Sequence, residues 1–227
     1  MYKYETHLQT WPVSKCALAT VEENVAFYAG MGYDGIFITN HFIDGNFNFD
    51  AHASYAEKID FFFSDYEKAL PLGEKYGIRI FCGAELSYKG THFLVYGLDK
   101  QWYLDHPEIT EMERTEELQL MMDSGALIIH AHPFLEAHYI NHIRLFPRHV
   151  HGVEVINAPK KDEDDAMALL YAEHYGLLKF AGSDNHSAGR QKKFAGVCFD
   201  HSISDDKDFI QRVKAGKAEL FTLNFEE

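Results

Sequence analysis

Six short hydrophobic runs in this chain meet a His, Asp or Glu at one end. Tyr4-Glu5-Thr6 leads into His7, Ile36-Phe37-Ile38-Thr39 into Asn40-His41, and Ile78-Arg79-Ile80-Phe81-Cys82-Gly83-Ala84 into Glu85. His92 opens the run His92-Phe93-Leu94-Val95-Tyr96. Leu127-Ile128-Ile129 leads into His130-Ala131-His132, and Leu178-Lys179-Phe180-Ala181-Gly182 into Ser183-Asp184-Asn185-His186. Apolar runs without alternation read as strands buried on both faces, the habit of parallel sheets covered by helices. Imidazoles and carboxylates at successive strand ends are what a barrel uses to assemble one divalent metal site from distant segments. One carboxylate at a strand end can equally cap the following loop, and Ser183-Asp184-Asn185 is turn chemistry in its own right. Recurrence at six ends is harder to absorb that way, because buried and unligated groups would each need a partner. In extended backbone, residues two apart share a face, so His130-x-His132 and Asp184-x-His186 can each serve one site.

Helical stretches fill the intervals. Thr20-Val21-Glu22-Glu23 is a capping-box pattern whose helix should close at Gly32, and Ser54-Tyr55-Ala56-Glu57 should open a second helix running to about Tyr76-Gly77. Thr110-Glu111-Met112-Glu113 should open a third, ending near Ser124-Gly125. A fourth is expected over 162–175 with Gly176 as its stop, and a fifth over 205–215 with Gly216 as its stop. Strands are expected at 35–39, 78–86, 92–98, 126–130, 153–156, 178–181, 195–199 and 219–223. The alternation predicts a single α/β barrel domain over 1–227, with an open doubly wound sheet as its competitor. No Gly-x-Gly-x-x-Gly follows the first strand, so dinucleotide binding has no support.

The 227 residues, 46% of them hydrophobic, suffice for one large core. A net charge of -14, with basic runs no denser than Lys160-Lys161 and Lys192-Lys193, argues against a nucleic-acid partner. Small anions remain admissible where bound metals supply local positive charge. Cys16, Cys82 and Cys198 are odd in number and dispersed, which suits a reducing compartment. No signal-like or membrane-length apolar segment is seen, so a cytoplasmic location with no membrane partner is expected. Of fourteen histidines, His106, His138, His142, His149, His151, His174 and His201 read as surface or loop residues.

Taken together, Glu5-Thr6-His7-Leu8-Gln9-Thr10, Ile38-Thr39-Asn40-His41, Gly83-Ala84-Glu85-Leu86, His132-Pro133-Phe134 and Gly182-Ser183-Asp184-Asn185-His186 resemble the motifs of the PHP (polymerase and histidinol phosphatase) domain. They occur in order over almost the full length. The resemblance implies a distorted (β/α)7 TIM-like barrel holding up to three divalent metals (zinc, manganese or iron) at the C-terminal strand ends. It implies hydrolysis of a phosphate ester by metal-activated water. By position, one metal would take His7, Gln9, Glu85 and Asp184, with Glu85 bridging to a second that takes Glu85, His92 and His132. A third would take His41, His186 and a residue shortly after the first motif. His41 or His186 would carry a proton to the leaving oxygen. Arg190, Lys160 and Asn157 are candidates for substrate contact, although Arg190 could simply face solvent and Asn157 could merely turn the chain. His130 matches no ligand position and, like Asn40, is placed behind the ligands.

The departures from the motif cluster. Gln9 stands where the family usually has His, and a neutral amide suits zinc less well than imidazole. Pro12 cannot ligate through its side chain. Cys16 is the nearest other donor, but reads first as a small buried residue. Asn40 replaces the usual Asp of the second motif, removing a carboxylate that could orient His41. Two to three metals are therefore expected, with one position weak or empty. These changes also motivate an alternative, a catalytically impaired metal-binding domain that holds a ligand or partner. Cleavage of a C–N bond is a further rival, disfavoured by the lack of an obvious metal-bridging lysine. The loops at 42–54, 100–110 and 134–149 should set specificity for a small phosphorylated metabolite or nucleotide.

Overall fold

The computed structural model describes residues 1–225. Among these, the strands are β1 (Tyr2–Leu8), β2 (Gly35–Ile38), β3 (Arg79–Tyr88), β4 (Thr91–Tyr96), β5 (Leu127–Ala131), β6 (Gly152–Asn157), β7 (Leu178–Gly182), β8 (Lys193–Phe199) and β9 (Glu219–Asn224). The helices are α1 (Val21–Gly30), α2 (Tyr55–Tyr76), α3 (Lys100–Asp105), α4 (Arg114–Asp123), α5 (Asp162–Tyr175) and α6 (Asp206–Lys214). One sheet runs β7-β6-β5-β4-β3-β2-β1-β8-β9. It curls until β7 returns to β1. There the Thr6 hydroxyl donates to the Ala181 carbonyl at 2.5 Å, Gln9 N–H donates to Asn185 O at 2.9 Å, and Asn185 N–H donates to His7 O at 3.2 Å. The result is a nearly closed single-domain barrel with helices outside. No helix of the described residues is long and apolar enough to cross a membrane.

The strands are not uniformly parallel, which corrects the reading taken from their continuous hydrophobicity. The β1–β2, β2–β3, β5–β6 and β6–β7 pairs are parallel, whereas β3–β4, β4–β5, β1–β8 and β8–β9 are antiparallel. The cause between β3 and β4 is a two-residue turn. Lys89 and Gly90 take φ of 51° and 84°, which folds the chain straight back. Continuous apolarity reports burial on two faces, and burial does not set direction. The reversal also explains why His92 opens its run while the other candidates close theirs. An antiparallel β4 starts at the barrel end where β3 and β5 finish.

The capping box expected at Thr20 forms with Glu23, a second forms between Ser54 and Glu57 where a helix start was expected, and left-handed Gly77 and Gly176 stop α2 and α5. The helix expected to open at Thr110 starts later. Pro107–Thr110 is a 3-10 turn, and α4 starts only at Arg114, without a side-chain cap. The stretch read as loop 100–110 begins with α3, capped by Asp99. At the barrel end away from His92, Phe37, Phe81, Tyr96 and Phe180 pack together and onto Phe209 of α6, with Phe37 and Phe209 rings 4.2 Å apart. This aromatic plug leaves only the opposite end for a polar site.

Arg114 ties α4 to that opposite end. Its guanidinium pairs with Asp44 at 2.6 Å and Glu117 at 2.6 Å, and donates to Ser87 O at 3.0 Å. Burial pushes the Glu117 carboxyl up to about 8; Arg114 opposes this and Asp44 adds to it. A carboxyl raised from 4.5 contributes stability that is complete below its unfolded value and is lost as pH climbs through about 8. The melting temperature should therefore fall between about pH 5 and about pH 9, and Glu117→Gln should flatten that fall. An identical slope in the variant would mean that another group is responsible.

Candidate metal centre

Two buried carboxylates face five imidazoles at the open end of the barrel. Glu85 Oε2 lies 3.4 Å from His7 Nε2 and 3.2 Å from His41 Nδ1, while Oε1 lies 2.9 Å from His92 Nδ1 and 3.5 Å from His132 Nε2. Asp184 Oδ1 is 3.4 Å from His7 Nε2 and 3.7 Å from His186 Nδ1; its Oδ2 is 3.9 Å from His132 Nε2. His7, Glu85 and His132 each offer a ligand atom within 4.8 Å of the others. Buried His7 Nε2, His41 Nδ1 and His92 Nδ1 stand within ion-pair distance of Glu85 yet make no hydrogen bond. Imidazole nitrogens without hydrogen-bond partners, converging on two carboxylates, suit a divalent cation.

The chain positions these groups by leaving the pleat. His132 and Asp184 take positive φ, 27° and 47°, which non-glycine residues avoid. Each turn swings its side chain over the barrel mouth. His41 is delivered by a bridge from the end of β2, where Glu85 N–H donates to Asn40 O and Phe42 N–H to Glu85 O, both at 2.9 Å.

Electrostatics follow from this crowding. Burial would raise Glu85, but His41, His7 and His92 hold it well below the usual carboxylate range. Asp184 is likewise lowered, by His7 and Lys160 against burial. Burial would lower His7, yet Glu154, Asp184 and Glu85 raise it well above its ordinary value. Burial takes His41 down to about 4 and also lowers His132. The Cys16 thiol is pushed up to about 12, first by burial and then by Glu85 and Asp184. As a free group it is therefore a neutral thiol and a poor nucleophile.

Two carboxylates outside the expected set support the ligands. Glu154 on β6 is fully buried; its Oε1 lies 3.0 Å from His7 Nδ1, and its Oε2 accepts from His132 N–H at 3.1 Å and Asn157 Nδ2 at 2.7 Å. Gly182 makes this approach possible, because a Cβ there would meet Glu154 Oε1 at 2.5 Å and His7 Cβ at 2.6 Å. Glu5 on β1 accepts from the backbone N–H groups of Thr6, His7 and Ser183 and from the Tyr28 hydroxyl. Burial raises its carboxyl to about 7. Both interrupt hydrophobic runs, Tyr4-Glu5 and Val153-Glu154-Val155. A carboxylate inside a buried strand was the available signal, since such a group must find a partner.

The remaining candidates fall in different places. Gln9 is buried beside Glu85, but its Oε1 accepts from the Ser14 hydroxyl at 2.6 Å and from His41 N–H at 3.1 Å. Those donors require oxygen on that side, so the amide Nε2 faces and donates to Glu85, and Gln9 does not present its oxygen to the cluster. Asn40 Oδ1 accepts from Thr10 N–H at 2.7 Å and its Nδ2 donates to the Thr10 hydroxyl at 2.8 Å, so it anchors the loop bearing Pro12 and does not orient the His41 ring. Lys160 Nζ reaches Asp184 Oδ2 at 2.9 Å, and Asn157 holds Glu154. Arg190 is exposed in the 3-10 turn Ala188–Arg190.

His130 is not behind the ligands. The strand pairs Phe93 with His130 and His92 with Ala131, so His130 shares the outward face. Its ring stacks on Phe93 at 5.2 Å and meets Phe146 and Tyr171 edge-on. The shared-face expectation for His130 and His132 fails because the pleat ends at Ala131. Neither His130 nitrogen finds a hydrogen-bond partner, and burial takes the ring down to about 3. His130→Leu should therefore leave bound metal unchanged and the melting temperature equal or higher, since an apolar group replaces an unpaired one. Metal loss in that variant, by elemental analysis, would return His130 to the site.

Neither a family model nor a curated protein matches the chain. Solved structures do. A two-domain protein from Bacteroides vulgatus containing a predicted PHP-like metal-dependent phosphoesterase aligns over 97% of this chain at 16% identity and a TM-score of 0.73; the chain spans 64% of that protein's length. A Bifidobacterium adolescentis structure assigned as a metal-dependent phosphoesterase aligns over 96% of this chain and 97% of its own, at 13% identity and a TM-score of 0.56. An amidohydrolase from Chromobacterium violaceum, with bound sulfate and no metal, aligns over 83% of this chain and 89% of its own, at 14% identity and a TM-score of 0.50. Likeness at such identity establishes architecture and leaves chemistry to the site. The chain thus has the fold of the PHP-like metal-dependent phosphoesterase structures, with residue groups able to hold metal ions at its open end.

Proposed function

We propose that this chain is a metal-dependent phosphoesterase acting on a small phosphorylated metabolite or nucleotide. The observation that carries the reading is the convergence of His7, His41, His92, His132 and His186 on Glu85 and Asp184 at one end of the barrel. The donor set fits: the first-row divalent metals accept imidazole and carboxylate, and the buried nitrogens have no protein donor to satisfy them. His7, Glu85, His92, His132 and Asp184 would hold the central ions, with His41 and His186 beside them. When bound, divalent cations supply a water nucleophile at neutral pH and positive charge for the phosphoryl oxygens.

The chain's own residues complete the chemistry. Lys160 Nζ, held by Asp184 at 2.9 Å and with its side chain 19% exposed, can donate to a phosphoryl oxygen at the mouth. The His186 side chain is 30% exposed, and its Nδ1 lies 2.8 Å from the Asp184 carbonyl, which can only accept. Nδ1 therefore carries hydrogen, and the Nε2 lone pair is free to bind a cation or to take up a proton from water and hand it to a leaving oxygen. His41, kept neutral by burial, suits ligation better than proton delivery.

Gln9 supports a second reading, a domain that binds metal without turnover. Its amide donates to Glu85 where an imidazole ligand is expected, leaving one ion a donor short. p-Nitrophenyl phosphate hydrolysis on protein loaded with manganese or zinc tests the first reading. Turnover abolished by chelator is the expected result. Stoichiometric metal without turnover, across phosphomonoesters and nucleotides, would favour the second.

A further inference from the structure

We infer that Cys16 completes the metal position that the resemblance places on His41 and His186, and that its thiolate makes this position selective for a borderline or soft divalent cation such as zinc. Each residue offers one ligand atom, and the three lie within 4.8 Å of one another. Donors around one tetrahedral zinc stand about 3.3–3.6 Å apart, from bonds of about 2.0–2.3 Å, so the set would draw in somewhat around a bound ion. His41 is 4% exposed and has an unpartnered Nδ1. Hydrogen on His186 Nδ1 leaves its Nε2 lone pair available.

Hydrogen bonds on either side of Cys16 hold it there. Two residues before it, the Ser14 hydroxyl oxygen accepts from His41 N–H at 2.9 Å. Two residues after it, Leu18 N–H donates to His186 O at 2.6 Å, and Lys15 N–H bonds Asn46 O at 2.7 Å. The loop is thus pinned to the backbone of both histidines, with Cys16 between the pins. This placement favours a ligand role for Cys16 over that of a small packing residue. Pro12 and Gln9, nearer to the first strand, leave the donor role to it.

Sulfur changes what the site selects. The Glu85–Asp184 group offers only imidazole nitrogen and carboxylate oxygen, which suit manganese, iron and zinc alike, whereas thiolate narrows the choice to the softer ions such as zinc. Binding converts the Cys16 S–H to a sulfur–metal bond and releases one proton to solvent. Three protein donors leave a fourth position open, the arrangement of catalytic zinc and not of closed structural sites. The inference rests on reading this barrel end as a metal centre, but not on turnover.

Cobalt(II) reconstitution tests it. The wild-type protein should show a near-ultraviolet sulfur-to-cobalt charge-transfer band. Cys16→Ser should lose the band with about one fewer cobalt per chain, and Cys16→Asp should lose the band while keeping the cobalt. Cys82 and Cys198 remain in both variants, so a band that survives in either overturns the assignment. X-ray absorption on zinc-loaded wild-type protein needs no variant: a sulfur neighbour at about 2.3 Å supports the site, and its absence overturns it. Turnover without the band would keep the phosphoesterase reading and remove the thiolate. The band without turnover would do the reverse.

Discussion

Glu85→Ala is expected to strip most of the bound metal and to abolish measurable phosphoester turnover. Glu85 stands within 3.5 Å of four imidazoles, those of His7, His41, His92 and His132. No other carboxylate reaches His41 or His92 among the ion pairs of the described residues. Removing it deletes the one carboxylate that spans both sides of the cluster and leaves buried His41 and His92 facing a cation without a carboxylate of their own. The loss should exceed the 10–100-fold effect typical of changes to residues that merely orient a ligand. Elemental analysis of the variant, with circular dichroism to confirm folding, decides the matter. Metal content equal to wild type in a folded variant would remove Glu85 from the centre, and with it the geometry on which the proposed chemistry depends.

Glu154→Gln should weaken metal affinity about 10–100-fold without unfolding the barrel. The carboxylate holds the His7 Nδ1 side at 3.0 Å, so His7 Nε2 is the atom left to face Glu85 and Asp184. It also receives the N–H of His132, a residue whose positive φ needs support. Three donors aim at its two oxygens, and an amide offers only one. The replaced oxygen would set an NH2 group against one of these donors, a mismatch of about 1–3 kcal/mol in a fully buried setting. Chelator competition for zinc reads the affinity directly. An unchanged affinity would mean that His7 is oriented by something other than Glu154, or that it does not ligate.

The sequence alone determined what is local to the chain. Hydrophobic runs located β2 to β9 within one or two residues, because a buried strand needs contiguous apolar side chains wherever it lies. Thr20–Glu23 and Ser54–Glu57 announced their helices because a capping box is satisfied within four residues. His7, His41, Glu85, His92, His132, Asp184 and His186 stood out because donors of those types ended or opened the runs.

Tertiary structure decided everything that depends on which neighbour a strand meets. The direction of β4 came from a two-residue turn and its pairing with β3 and β5, not from its composition. The outward face of His130 follows from its register opposite Phe93, and the inward swing of His132 from a backbone angle no motif announces. Glu154 acquired a role only when Gly182 let it approach His7, residues far apart in the chain. The orientation of the Gln9 amide was set by donors from Ser14 and His41, and the place of Cys16 by bonds to the backbone of His41 and His186. Residue type states what a group can bind, while the direction it faces is settled by packing and hydrogen bonds across the barrel.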